Sequence, residues 1–199
     1  MKSLKGTKTL ENLTKAFAGE SQARSRYTYF AEVAAEEGYE QISELFMETA
    51  ENELVHAEIF YGHILDGMEG EAAPFMVNIE AAYPVALGNT YDNLRAAAMG
   101  ENEEWTELYP AFAQVAEEEG FTQVAASFKM ISKVEQKHEI RYTKLAENVD
   151  KGAVFVKDEE GTAWKCRVCG YVHEGKTAPK VCPVCKVEQP YFEKFCENY

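Results

Sequence analysis

The sequence predicts a mainly α protein: a four-helix bundle with one long crossover connection, followed by a small C-terminal four-cysteine metal domain with short β-strands. Three observations carry this expectation. Apolar residues recur at helical spacing through four long segments. Glu20 followed by Glu53-x-x-His56 is repeated as Glu101 followed by Glu135-x-x-His138. All five cysteines lie between residues 166 and 196.

The four helices are expected at about 7–37, 39–66, 90–119 and 121–148, with Gly38, Gly67 and Gly120 at their ends as C-terminal caps. The joins at Gly38 and Gly120 are tight, giving two antiparallel pairs. Residues 67–89, with Gly70, Pro74, Pro84 and Gly88, are long enough to run the length of a bundle, and a short helix is expected within them at 75–86. The second pair repeats the first. At an offset of 82, Tyr27, Phe30, Glu36-Glu37-Gly38, Phe46, Glu53 and His56 fall on Tyr109, Phe112, Glu118-Glu119-Gly120, Phe128, Glu135 and His138. Upstream the offset is 81, so that Asn12-Leu13 and Gly19-Glu20 fall on Asn93-Leu94 and Gly100-Glu101. An internal duplication explains this register and predicts a pseudo-twofold bundle. The change of offset puts one extra residue between Glu101 and Tyr109, which a helix absorbs as a π-bulge. Beyond residue 150 the helical periodicity stops, which sets the expected domains at 1–149 and 150–199.

On a helix, residues three apart share a face, so each Glu-x-x-His offers a carboxylate and an imidazole to one point. Two such pairs, with a Glu from each of the other two helices, form the general ligand pattern of ferritin-like di-metal bundles. The candidate ligands are Glu20, Glu53, His56, Glu101, Glu135 and His138, with Glu53 and Glu135 as natural bridges. Glu104 is a seventh. It shares a face with Glu101 and has only Gln22 or Ala23 opposite it in the first repeat. This mixture of carboxylate and imidazole suits iron or manganese. Tyr27 and Tyr109 are either core tyrosines or donors to the ligand carboxylates, and their repeat symmetry favours the second. His63 is expected to be satisfied or solvent-facing, and His173 exposed.

Bulk properties exclude several classes. Residues 1–150 carry 27 acidic against 12 basic side chains, a net −15, while residues 151–199 are at +1. So acidic a bundle would repel nucleic acid. No stretch approaches the roughly 18 apolar residues of a membrane span, and the N-terminus has no signal-peptide pattern, so a cytoplasmic chain without membrane partners is expected. Cys166-x-x-Cys169, twelve residues, then Cys182-x-x-Cys185 can hold one tetrahedral ion, zinc or iron. On spacing alone a structural zinc ribbon is the better reading. Trp164, Tyr171 and Phe192 are candidates for a small core around it, and Cys196 is a spare thiol.

Taken in this order and spacing, Glu20, Glu53-x-x-His56, Glu101-x-x-Glu104, Glu135-x-x-His138, Cys169-Gly170-Tyr171 and Cys182-Pro183-x-Cys185 extend over the whole chain. On these residues the chain resembles the rubrerythrins, ferritin-like di-iron bundles fused to a rubredoxin-like tail. It departs from free-standing rubredoxins at Lys186, where Gly usually follows the last cysteine. The resemblance implies a non-haem peroxidase that reduces hydrogen peroxide to water in oxidative-stress defence. It implies two bridged irons in the bundle and one iron on Cys166, Cys169, Cys182 and Cys185. Glu104 and His56 would exchange as ligands of one iron, completed by Glu20, while Glu101 and His138 hold the other. The candidate catalytic set is then Glu104, His56, Tyr27 and Tyr109. Implied partners are a rubredoxin or its NAD(P)H-linked reductase as electron donor, and a second copy of the chain in a homodimer. Two other classes stand beside this one: a ferritin-like iron oxidase or store, against which the electron-transfer tail argues, and a non-catalytic protein with a zinc ribbon.

Overall fold

A computed structural model describes residues 2–198. Helix α1 (Lys8–Glu36) turns back into α2 (Glu40–Gly67). The third rod of the bundle is α3 (Thr90–Glu103), a π-helical turn at Glu104–Leu108 and α4 (Tyr109–Glu118), and it turns back into α5 (Thr122–Asp150). α1 packs on α2, and the third rod on α5. A small sheet follows, in the order β2-β1-β3, all antiparallel: β1 (Ala163–Cys166), β2 (Val172–Glu174) and β3 (Phe192–Lys194).

The duplication is written into the helix ends. Gly38 and Gly120 both take left-handed backbone angles, φ 81° and 83°. Each lets the next residue, Tyr39 or Phe121, donate back to the helix just ended, at Ala34 O (2.8 Å) and Ala116 O (2.7 Å). The glutamates before them cap the start of another helix. Glu37 accepts from Thr90 N at 2.9 Å, and Glu119 accepts from Thr9 N at 2.8 Å. Gly67 differs from these two. It is the last residue of α2, and a Cβ there would lie 2.3 Å from Leu4 Cδ1. Its small size admits a close approach of the N-terminal segment rather than a turn.

The π turn expected between Glu101 and Tyr109 is present, and the local chemistry explains its position. Tyr109 N donates to Glu104 O, five residues back. The next bond in that register would run from residue 110 to Trp105 O, but Pro110 has no N–H. Ser132 Oγ donates to that carbonyl instead, at 3.2 Å. Pro110 falls in the first turn of α4, where a missing donor is tolerated.

The helix expected at 75–86 does not form. Residues 75–88 form neither helix nor strand, and Phe75, Val77 and Ile79 are half-buried while Met76, Asn78 and Glu80 alternate outward. That is a period of two, with one apolar face laid on the bundle. Pro74 and Pro84 each remove a donor that a helix would need, and extended chain covers roughly twice the distance per residue. Tyr83 Oη ties the crossing down by donating to Lys15 O at 2.9 Å.

Apolar residues form one core around Leu13, Phe60, Tyr109 and Phe128 and another around Tyr27, Phe30, Phe46, Leu94 and Tyr142. The tail has its own core of Trp164, Cys166, Ala178, Cys182 and Phe192, with Tyr171 packed against it. It rests on the Gly38 end of the bundle. Arg167 bonds Glu44 on α2, Pro190 lies 3.3 Å from where a Gly38 Cβ would be, and Phe155 stacks on Tyr39.

Candidate metal centre

Four helical rods bring six side chains to one buried point. Glu20, Glu53, His56, Glu101, Glu135 and His138 are each at most 7% exposed. They fall into two overlapping groups, Glu20/Glu53/His56/Glu135 and Glu53/Glu101/Glu135/His138, each with ligand atoms within 4.8 Å of one another. Glu53 and Glu135 belong to both. His56 Nδ1 lies 2.8 Å from Glu53 Oε2 and 3.0 Å from Glu135 Oε1. His138 Nδ1 lies 2.9 Å from Glu135 Oε2, 3.3 Å from Glu53 Oε1 and 3.5 Å from Glu101 Oε2. Each of these two carboxylates therefore turns one oxygen to each histidine, the arrangement of a carboxylate shared between two ions.

The electrostatics fit cations. Four buried carboxylates facing two imidazoles remain negative even with both rings protonated, and buried charge demands a counter-charge. Among the described residues, Glu20 Oε2, Glu53 Oε1, Glu101 Oε2, both Glu135 oxygens and His138 Nδ1 find no hydrogen-bond partner. Without metal the groups compete for protons. Burial, then the Glu53 carboxylate, pushes Glu101 up to about 8. Burial, then Glu104, Glu135 and Glu53, holds Glu20 well above the usual carboxylate range. For the histidines burial alone acts downward, but the carboxylates outweigh it. His56 rises to about 9 through Glu135 and Glu53, and His138 to about 12 through Glu101, Glu135 and Glu53.

The tyrosines act across the bundle. Tyr27 of α1 donates to Glu101 Oε1 on α3 at 2.5 Å, and Tyr109 of α4 donates to Glu20 Oε1 on α1. Each phenol fixes one carboxylate oxygen and leaves the other free for an ion. Glu104 stands apart from both four-residue groups. It accepts no hydrogen bond among the described residues, and it lines a cavity of about 300 Å³ with Gly19, Gln22, Arg26, Tyr83 and Tyr109. Its Oε1 lies 3.9 Å from where a Gly19 Cβ would be, an ordinary contact distance across that space. Burial, then Glu101, Glu135 and Glu53, holds its carboxyl well above the usual range, with Arg26 acting downward.

Several residues around the site had no ligand-type signal in the sequence. Glu139, next to His138, accepts from Trp105 Nε1 at 2.6 Å and Asn102 Nδ2 at 3.1 Å, clasping the π turn to α5. Helical spacing alone reads it as a surface acid. Arg26 would have been visible in the repeat, since its counterpart at offset 82 is Leu108. His63 is satisfied by Ser127 Oγ at 2.9 Å. His173 is half-buried rather than exposed, because strand pairing sets it opposite Trp164.

In the tail, the sulfurs of Cys166, Cys169, Cys182 and Cys185 lie within 4.8 Å of one another, with Cys166–Cys185 and Cys169–Cys182 both at 3.6 Å. Two matching turns present them. Gly170 N donates to Cys166 O and Lys186 N to Cys182 O, at 2.9 and 3.1 Å. Gly170 has φ 78° and Lys186 φ 68°, so the lysine adopts the left-handed backbone that glycine usually supplies. The second turn thus keeps its geometry. Burial works against ionisation of Cys182, but the N–H groups of Cys185 and Val184 at its sulfur outweigh it and bring it down to about 6. Cys196 is exposed and takes no part.

Comparison with known proteins agrees with this geometry. A family model described as rubrerythrin matches residues 11–146, and one described as the rubrerythrin rubredoxin-like domain matches residues 164–193. The chain is 58% identical to rubrerythrin-1 of Clostridium acetobutylicum, over the full length of both. It is 56% identical to rubrerythrin of Porphyromonas gingivalis, covering all of this chain and 95% of that one. Among solved structures, a fully reduced, all-ferrous nigerythrin matches with TM-score 0.62 at 33% identity, over 98% of this chain and 92% of the other. The chain belongs to the rubrerythrin family, with a di-iron carboxylate site in its bundle and a rubredoxin-like four-cysteine site in its tail.

Proposed function

We propose that this chain is a non-haem di-iron peroxidase that reduces hydrogen peroxide to water, with electrons relayed through the four-cysteine iron. The observation that carries the reading is the asymmetry of an otherwise duplicated site. His56 stands within one ligand group while Glu104, which has no counterpart in the first repeat, faces the adjoining cavity. One side thus has an alternative ligand and an open approach. A permanently symmetric cage would need neither.

In this reading Glu20, Glu53, His56, Glu101, Glu135 and His138 hold the pair, Glu104 alternates with His56, and the four cysteines hold the third iron. The units are 1–149 and 150–199. When bound, the iron pair supplies the two electrons that split an O–O bond. The chain's own residues do the rest. Glu53 and Glu135 bridge, and Tyr27 and Tyr109 fix Glu101 and Glu20 by donating to one oxygen of each. Gly19 and Tyr83 bound a cavity of about 300 Å³, large enough for a peroxide. Glu104, half-buried on the π turn, faces that cavity, where its carboxylate can meet a bound peroxide. Two protons and two electrons convert one peroxide to two waters.

Electrons come from a rubredoxin-type donor or its NAD(P)H-linked reductase in the cytoplasm, by way of the tail. A homodimer is part of the reading. Met47, Val55 and Ile59 leave apolar surface exposed along α2, where a second copy can pack. Among the described residues no helix is long and apolar enough to cross a membrane. The test uses iron-loaded protein, reduced anaerobically and freed of reductant. Peroxide should reoxidise it much faster than a Glu104→Ala variant. Equal rates for the two proteins would remove the assignment.

A further inference from the structure

Arg26 is the other residue that breaks the repeat beside the metal site. Its counterpart is Leu108, as that of Glu104 is Gln22 or Ala23. The two exceptions line one cavity, on α1 and on the π turn of the third rod. Both have free hydrogen-bonding capacity. Arg26 Nε is held by Gln22 Oε1 at 2.6 Å, and the guanidinium lies 5.6 Å over the Tyr27 ring, yet Nη1 is buried without a partner among the described residues. Glu104 forms neither a hydrogen bond nor an ion pair with any described residue. Gly19 and Gly100, which precede the repeat-related ligands Glu20 and Glu101, border this space. A methyl on Gly19 would sit 3.9 Å from Glu104 Oε1, and one on Gly100 would sit 3.9 Å from Arg26 Nη2.

An unpartnered buried guanidinium N–H is costly unless a group arrives to accept from it. Three carboxylates line the cavity, Glu80, Glu103 and Glu104; the first two are exposed to solvent, and Glu104 is the half-buried one on which the Arg26 charge acts. Lys15 also lines the cavity, and its backbone carbonyl accepts from Tyr83. We propose that Arg26 is a positioning residue that receives the Glu104 carboxylate when this is withdrawn from the metal pair, and so sets the balance between Glu104 and His56 as ligands. A planar guanidinium whose Nε and ring face are already fixed is preorganised for this, as a lysine would not be. The inference rests on the alternation of Glu104 and His56 proposed above.

The test is a double-mutant cycle on the full-length, iron-loaded protein, read as the midpoint potential of the di-iron pair. If withdrawn Glu104 belongs to the reduced state, Arg26 stabilises that state. Arg26→Met should then lower the oxidised-to-reduced balance point by about tenfold, about 30 mV for a two-electron couple. In a Glu104→Ala background the same change should have little effect, and Arg26→Lys should restore part of the loss in the wild-type background. Lys15→Met should show no such coupling. Equal shifts with and without Glu104 would mean simple loss of a positive charge and would overturn the proposal, as would no shift at all or equal coupling from Lys15. Should Arg26→Met not fold, Arg26→Lys alone, with and without Glu104, gives the same comparison. Peroxide reoxidation of the same wild-type sample is assayed separately. Its absence would refute the peroxidase reading while a measured coupling would still uphold the link between Arg26 and Glu104.

Discussion

Loading the bundle with ferrous iron at pH 7 should release at least three protons per chain. Without metal, His56, His138 and Glu101 hold their protons up to about 9, 12 and 8 respectively, which gives one proton from each. Glu20 and Glu104, also raised, can only add to the number. Ligands must lose these protons to bind, so below about pH 8 the apparent affinity for the pair should rise at least about a thousandfold per unit of pH. The assay is anaerobic calorimetry on protein whose four-cysteine site is already filled, so that thiol protons do not contribute. Repeating it in buffers of different ionisation enthalpy gives the proton count directly. Release of two protons or fewer would contradict this, because the six side chains would then be poised as free ligands rather than as a proton-sharing cluster.

The same shifts give the metal-free fold a pH dependence of definite sign. His56 and His138 bind protons more tightly folded than unfolded, so their stabilisation is complete below about pH 6.5 and is lost as pH rises through 9, with Glu101 acting in the same direction from about 4.5 to 8. Melting of the metal-free protein should therefore move to lower temperature between pH 6.5 and 9, and a rise over that interval would contradict the site's electrostatics. In the tail, Lys186→Gly removes a left-handed backbone from a residue with a Cβ and should stabilise the second cysteine turn by about 1 kcal/mol. The check is the guanidinium concentration at which the ferric–thiolate colour is lost, which should rise; an unchanged or lower value would show the turn to be unstrained.

Much of the bundle could be read from the chain because its constraints are local and repeated. Glu-x-x-His spacing places two ligands on one helix face, and the shift of offset from 82 to 81 between Tyr109 and Glu101 located the π turn to within a few residues. What the spacing could not convey is which side chains meet across elements. The clasp of Trp105 and Asn102 by Glu139 joins residues more than thirty apart, and nothing in a one-dimensional pattern distinguishes Glu139 from the other acids on α5. The crossover is different: its alternation at Phe75, Val77 and Ile79 was present in the sequence, but short apolar runs do not separate a strand from a helix unless prolines are weighed. Gly67 shows the same limit, for its partner is Leu4, at the far end of the chain's first turn into the bundle.

In the proposed reaction, electrons held at the four-cysteine iron reach peroxide through the bundle. Glu53 belongs to both ligand groups, so Glu53→Ala should empty the bundle and leave the tail iron in place, as metal analysis would show. The decisive measurement is the return of the ferric–thiolate colour after peroxide is mixed with fully reduced protein, in wild type and in Glu53→Ala. Return should be rapid in the wild type and at least about a hundred times slower, on the order of uncatalysed oxidation, once the bundle is empty. Return at the same rate in both proteins would mean that peroxide reacts at the tail directly, and the bundle would lose its role as the site of reduction.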